Sequence, residues 1–128
     1  MKRQARLILV CFGLISGLVA YFSFSATRED LDPLKVAPET HKLVFENALV
    51  RVIEAKVPTG TLERKHSHPH GLTVYLADFD SEIRTFPDGK VTKAHRKFGS
   101  VVWSEATVHE VRNIGTTPSH ALRIELKD

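Results

Sequence analysis

Residues 60–76, GTLERKHSHPHGLTVYL, place three histidines within five positions and continue into an apolar run. Successive side chains of a β-strand point to opposite faces, so His66 and His68 share one face. In a continuous strand that face would also carry Leu72 and Val74, which marks it as the inner face. The pattern therefore predicts two imidazoles at one end of an apolar interior, where they need polar partners or a metal ion.

Short apolar runs separated by turn residues extend from residue 41 to the end of the chain. Runs such as KLVFE (42–46) and VHEVRNI (108–114) have the length of strands, and Pro-Asp-Gly at 87–89 has the composition of a hairpin turn. About seven or eight such runs, spaced by roughly 8–12 residues, are typical of an all-β sandwich or barrel. We predict one domain over residues 41–128, preceded by a polar connector over residues 27–40.

Residues 1–26 have a different character from the rest of the chain. Lys2, Arg3 and Arg6 precede residues 7–24, an apolar run of 18 residues without a charge. The run is long for the apolar core of a signal peptide and short but sufficient for a spanning helix of about 17–25 residues, so a cleaved signal peptide and an N-terminal membrane anchor both fit. Either one predicts an apolar helix outside the fold. The rest of the chain is then exported, and is periplasmic, secreted or anchored through residues 7–24.

The charge and cysteine content exclude several functions. Lys2, Arg3 and Arg6 account for the whole net charge of +3, so residues 27–128 are neutral overall and give no indication of nucleic-acid binding. The single cysteine, Cys11, lies in the apolar run. Any metal in the exported part must therefore be held by histidine, carboxylate or water.

Two motifs in this sequence resemble those of the cupin superfamily and occur in the same order. GTLERKHSH (60–68) matches G-x5-H-x-H, and GSVVWSEATVHEVRN (99–113) is similar to G-x5-P-x-G-x-H-x3-N. The resemblance covers residues 43–126 and is strongest to small single-domain, RmlC-like cupins. It implies a double-stranded β-helix, that is, a jelly-roll barrel, which is often a homodimer with a divalent metal ion at its mouth.

By motif position the resemblance assigns the metal ligands to His66, His68 and His109. The carboxylate ligand of the first motif is missing, because Leu72 and Thr73 stand in its place. A set of three histidines is similar to the ligands of cysteine-dioxygenase-type and diketone-cleaving cupins. The implied cofactor is a divalent ion of Fe, Zn or Mn.

On its own strand, His109 shares a face with Val111 and Asn113. Because Val111 is apolar, that face is expected to be the inner one. Glu105, near His109, is either an exposed turn carboxylate or an outer-sphere partner of the metal.

Two functions fit this sequence. In the first, the chain is an exported, metal-dependent enzyme, with oxygenation of a small molecule as the favoured reaction and no catalytic residue assigned. In the second, it is a non-catalytic cupin module that binds a small ligand or a metal. Both predict a small-molecule ligand, membrane contact only through the N-terminal segment, and a homodimer.

The remaining polar and aromatic residues are expected to have structural roles. His70 follows Pro69 and is expected at a rim or loop, whereas His41, His95 and His120 belong to no recognisable cluster. These residues are expected outside the metal site, with His95 exposed and His120 in the core. Tyr75 and Trp103 are expected as core aromatics, either of which could line the pocket, and Asn113 is expected as a structural residue.

Overall fold

The computed structural model describes residues 29–128, so the predicted signal peptide or anchor lies outside the described residues. The described residues form one short helix and nine strands, which confirms the all-β class. The elements are α1 (Pro33–Val36), β1 (His41–Glu46), β2 (Val50–Ala55), β3 (Leu62–His68), β4 (Gly71–Tyr75), β5 (Phe79–Thr85), β6 (Val91–Arg96), β7 (Val101–Ser104), β8 (Thr107–Asn113) and β9 (Ala121–Leu126). Among residues 29–128, no helix is long and apolar enough to cross a membrane.

The strands form two antiparallel sheets. One sheet has the order β1-β2-β9-β4-β7, and the other has the order β3-β8-β5-β6. Their facing sides enclose a cavity of about 400 Å³ that is lined by residues of both sheets. This arrangement agrees with the predicted jelly-roll barrel and places the candidate site inside it.

Residues 60–76 do not form one continuous strand. β3 ends at His68 and β4 begins at Gly71, and the two strands lie in different sheets. Pro69 stands at the break, because proline has no amide hydrogen for the ladder and a fixed φ. The prediction that His66 and His68 share a face with Leu72 is therefore wrong. The chain crosses from one sheet to the other between them.

The five-stranded sheet has a partly polar inner face and an apolar outer face. On β4, Thr73 and Tyr75 line the cavity, whereas Leu72 lies opposite Trp103 on the outer face. On β9, Arg123 and Glu125 are buried on the inner side. The expectation that Leu72 and Val74 mark the inner face is therefore wrong for β4.

Residues 29–40 pack against the barrel. Asp32 caps α1 by accepting from the backbone N–H of Leu34, and its carboxylate binds Arg51 at 2.9 Å. The amide of Ser67 donates to Leu31 O at 2.8 Å, and Ala37 is fully buried. The segment expected to be a connector therefore covers one side of β3, close to its histidines.

Candidate metal centre

Four histidines from three strands meet inside the barrel. His66 and His68 lie on β3, His109 lies opposite His66 on β8, and His41 begins β1. Ring nitrogens of His41, His66 and His68 lie within 4.8 Å of one another. His109 Nε2 is 3.0 Å from His66 Nε2, and the rings of His68 and His109 are 5.4 Å apart between centroids. The structure thus brings together the three predicted ligands and adds a fourth histidine.

His41 was expected to belong to no cluster, and that expectation is wrong. Its side chain is 1% exposed, and its ring centroid is 4.8 Å from that of His66. The two histidines are 25 positions apart in the chain, so no local motif links them. The pairing of β1 with β2 brings His41 opposite Ala55, which lines the cavity. Only the alternation of β1 could have indicated an inward side chain.

Each of the three clustered histidines on β1 and β3 has its Nδ1 atom close to an acceptor. His68 Nδ1 lies 2.6 Å from Glu125 Oε1, and His66 Nδ1 lies 2.6 Å from the carbonyl oxygen of Arg64. His41 Nδ1 lies 3.2 Å from the carbonyl oxygen of Ala37. Donation from Nδ1 leaves the lone pair on Nε2, the arrangement found for histidines that bind metals.

Burial keeps these imidazoles neutral. It lowers the pKa of His41 to about 4, with a further contribution from His66. Burial also lowers the pKa of His66, and it holds the pKa of His68 and His109 well below the usual value. Neutral imidazole is the form that binds a metal ion, so the cluster is ready for one near neutral pH.

A buried carboxylate that sequence reasoning missed lies beside the cluster. Glu63 Oε1 is 3.2 Å from His41 Nε2 but makes no hydrogen bond there. Burial raises the pKa of Glu63 to about 7. A β-bulge between Glu63 and His66 inserts one extra residue, which turns both side chains inward although they are three positions apart. Simple alternation along β3 therefore places Glu63 on the wrong face.

Thr73 occupies the inward position at which the resemblance would place a carboxylate ligand. It lines the cavity, whereas Leu72 faces outward. Arg123 Nη1 donates to Thr73 Oγ1 at 3.3 Å. The positive charge of Arg123 therefore lies next to Thr73, the position at which the motif would place a carboxylate.

Two further residues named from the sequence, Glu105 and Asn113, lie outside the histidine cluster. Glu105 is exposed near the cavity mouth and accepts from Trp103 Nε1 at 2.7 Å. Asn113 is fully buried and donates to the carbonyl oxygens of Val57 and Thr117, which confirms a structural role.

Three further histidines and one aromatic residue lie outside the cavity. His70 lies in the turn between β3 and β4, and His95 is exposed beside Asp80. His120 is a third exposed and contacts Glu54 at 2.8 Å, so it is not a core histidine. Trp103 is 49% exposed and is not a core aromatic residue.

The residues present fit a divalent metal ion. The 3.0 Å distance between the Nε2 atoms of His66 and His109 is close to that of two ligands on one ion at about 2.0–2.1 Å. Glu125 orients His68 and is itself held by Arg51 Nε at 2.7 Å, as carboxylates behind metal-binding histidines commonly are. The donor set, neutral imidazole nitrogens without a thiolate, suits ions such as Zn²⁺ and Fe²⁺.

Comparison with known proteins supports this architecture. No protein-family model matches the sequence, and no curated protein matches it significantly. Among solved structures, a cupin domain from Bordetella pertussis is 23% identical, with a TM-score of 0.63 over 69% of this chain and 92% of that one. An RmlC-like cupin from Methanocaldococcus jannaschii is 14% identical, with a TM-score of 0.54 over 67% of this chain and 77% of that one.

A larger protein is also similar. Oxalate decarboxylase from Bacillus subtilis, which contains Mn(II) centres, is 26% identical with a TM-score of 0.50. The match covers 62% of this chain but only 22% of the decarboxylase chain. Sheet order, cavity and structural matches agree, and the chain has the fold of the cupin double-stranded β-helix proteins.

Proposed function

We propose that this chain is an exported cupin that binds a divalent metal ion through His66, His68 and His109 and acts as a metal-dependent enzyme on a small molecule. The convergence of four neutral imidazoles, those of His41, His66, His68 and His109, at the wall of one cavity carries this proposal. His41 is a fourth candidate ligand, because one of its ring nitrogens lies within 4.8 Å of ring nitrogens of His66 and His68. Fe, Zn and Mn are the candidate ions, and a metal-dependent oxygenase, which requires redox-active Fe or Mn, is the reaction class that we favour.

The residues around the cluster support such chemistry. A divalent ion held here would supply a Lewis acid and a binding position for a small ligand. Because the histidine ligands are neutral, the bound ion keeps its full charge, which favours an anionic, chelating ligand. Glu125 fixes the tautomer of His68. Glu63 Oε1, beside His41 Nε2, can hold a proton near neutral pH because burial raises the pKa of this carboxyl to about 7.

Metal content is the first test of this proposal. Full-length protein without a polyhistidine tag is purified in mild detergent, and its metal is measured by mass spectrometry at neutral pH. We expect stoichiometric metal in the unaltered protein and in His95→Ala, whose side chain is exposed and remote from the cluster. The double variant His66→Ala/His109→Ala is expected to lose it. Unaltered protein without stoichiometric metal would contradict the proposal.

A non-catalytic role is the second candidate, and one observation favours it. Thr73 stands where the first motif would supply a carboxylate ligand, so the site lacks the usual negative ligand. Oxygen uptake by the Fe(II)-loaded protein, measured with small thiols, diketones and hydroxy acids, separates the two candidates. Uptake that disappears in His66→Ala supports the enzyme. Stoichiometric metal without turnover of any of these compounds supports the binding module.

We also propose the location and assembly of the protein. Residues 1–26 direct export, and the apolar outer face of the five-stranded sheet joins two copies in a homodimer. That face carries Val101 and Trp103, which are 57% and 49% exposed, and large exposed apolar patches commonly mark interfaces. Fractionation of cells, with mass measurement of the N-terminus of the exported protein, tests export and distinguishes cleavage from anchoring.

A further inference from the structure

Arg123 has an unusual environment for a charged side chain. It lies on the inner face of β9 and is 5% exposed. Its guanidinium donates to three neutral oxygens, namely Thr73 Oγ1, Ser104 Oγ and the carbonyl oxygen of Pro69. Its Nε atom is buried without a hydrogen-bond partner. Arginine is rarely buried to this extent unless it is paired with an anion.

The neighbouring carboxylate on β9 does not pair with Arg123. Glu125 directs Oε1 to His68 and Oε2 to Arg51, so both of its oxygens are in use. Among residues 29–128, no carboxylate forms an ion pair with Arg123. The hydrogen bonds of its guanidinium therefore all go to neutral oxygens, and Glu125 acts on its charge only without direct contact.

A second arginine lines the same cavity. Arg96 lies opposite Phe79 in the other sheet, and its Nε atom is also buried without a partner. Its Nη1 atom donates to the carbonyl oxygen of His95 at 3.3 Å, and Cζ is 6.0 Å from the centre of the Tyr75 ring. Arg96 likewise forms no ion pair within the described part of the chain.

These two arginines supply the positive charges of the cavity wall. Two carboxylates also line the cavity, but neither is paired with an arginine: Glu63 lies against His41, and Glu105 is exposed and accepts from Trp103 Nε1. Unpaired positive charge in a low-dielectric cavity attracts ligands of the opposite sign.

We propose that the cavity binds a small carboxylate anion and that Arg123 is the residue that selects for its negative charge. The anion would lie between the histidine cluster and the guanidinium, with Arg96 adding a second, weaker attraction. The inference rests on the proposed function only for the contact that the anion makes with the metal. Charge selection by Arg123 is expected in the metal-free protein as well.

The test compares malonate with malonamide, its neutral counterpart of nearly the same shape. Binding of both is measured by calorimetry on the full-length protein, with and without Zn²⁺, at neutral pH. We expect malonate to bind at least about tenfold more tightly than malonamide in both forms, since hydrogen bonds to charged groups are stronger than neutral ones. Arg123→Gln should lower the affinity for malonate by about ten- to hundredfold, and Arg123→Lys should lower it less.

Two further variants keep the test decisive if Arg123→Gln does not fold. In the Arg96→Gln variant, Arg123 is the arginine that remains on the cavity wall. We expect the metal-free variant to keep the preference for malonate over malonamide. Arg112→Gln, on an exposed arginine of β8, is the matched control and should bind like the unaltered protein.

Three outcomes would overturn the inference. These are equal binding of malonate and malonamide to the metal-free protein, loss of the preference in Arg96→Gln, and a folded Arg123→Gln variant that binds malonate normally. Metal content is measured on the same samples. Absence of metal with malonate selectivity intact would therefore refute the proposed function and leave this inference standing.

Discussion

The two faces of the five-stranded sheet differ in a way that reverses the usual expectation. The inner face carries polar residues, among them Thr73, Arg123 and Glu125, whereas the outer face carries apolar ones such as Leu72 and Trp103. In most sheets with one solvated face, the apolar residues are inside. The reversal indicates that the interior of this barrel is organised around a site, and it is the basis of the dimer proposed for the outer face.

The strongest expected effect comes from removing a buried charge of the inner face. Glu125→Ala leaves Arg51 Nε and His68 Nδ1 without their carboxylate partner. We expect the free energy of unfolding to fall by about 3–5 kcal/mol, the usual cost of breaking a buried ion pair. Urea denaturation measures this change.

A surface pair provides the control for that measurement. Arg84 and Glu110 are 2.9 Å apart on the four-stranded sheet, and both side chains are partly exposed. Glu110→Ala should cost less than about 1 kcal/mol. Equal losses in the two variants would mean that Glu125 does not organise the interior.

The next effect concerns the fourth histidine. His41→Ala should weaken the binding of Zn²⁺ by about 10- to 100-fold, whether His41 binds the ion or orients the cluster. The metal-linked gain in unfolding free energy should then fall by about 1.4–2.7 kcal/mol. Thermal denaturation with graded Zn²⁺ measures this, with His120→Ala as the control because His120 contacts Glu54 outside the cavity. Unchanged affinity in His41→Ala would exclude His41 from the site.

A smaller effect is expected from acidification of the metal-free protein. Burial lowers the pKa of His41 to about 4 and also lowers the pKa of His66, whereas the unfolded chain titrates at about 6.5. The unfolded state therefore binds more protons between these values, so stability falls as the pH drops through them. The slope is about 1.4 kcal/mol per pH unit for each proton of difference.

Glu63 acts in the opposite direction. Burial raises its pKa to about 7, so its contribution is lost as the pH rises through that value. Since several histidines oppose one carboxyl group, the net slope should be positive between about pH 4 and 6.5. Urea denaturation at several pH values tests this sign. His66→Gln should flatten the dependence, and a pH-independent stability would mean that the cluster is already accessible to protons.

Much of the fold and half of the candidate site were readable from the sequence. The motif spacing located His66, His68 and His109, and the alternation of β8 correctly turned His109, Val111 and Asn113 inward. These inferences succeeded because they depend on short segments with regular geometry. The all-β class was readable for the same reason, since turn residues divide the chain into runs of strand length.

The missed residues share a physical cause. A β-bulge interrupts the alternation of β3, so the pattern did not predict that Glu63 faces inward. His41 joins the cluster only through long-range pairing of strands. Arg123 stands between Leu122 and Ile124 on β9, so alternation alone favours the apolar side of that strand as the inner one. A two-residue period shows which residues share a face, but it does not show which face is buried when the interior is a polar site.

The smallest expected effect on the fold comes from the outer face. Val101 is 57% exposed there and pairs with Val74 across β4 and β7. In the proposed dimer, Val101→Glu would bury a carboxylate against the same apolar face of a second copy. We therefore expect the mass measured by light scattering to fall to that of a monomer, because an unpaired buried charge strongly disfavours association. The unfolding free energy of the isolated monomer should change by no more than about 0.5 kcal/mol.

Val91 provides the matched control for this substitution. It is 44% exposed on β6 of the four-stranded sheet, outside the proposed interface. Val91→Glu should leave the mass unchanged. If the dimer survives Val101→Glu, or if Val101→Glu and Val91→Glu disrupt it equally, the apolar outer face has a different partner. The reversal of the two faces would then have to be explained by that partner rather than by self-association.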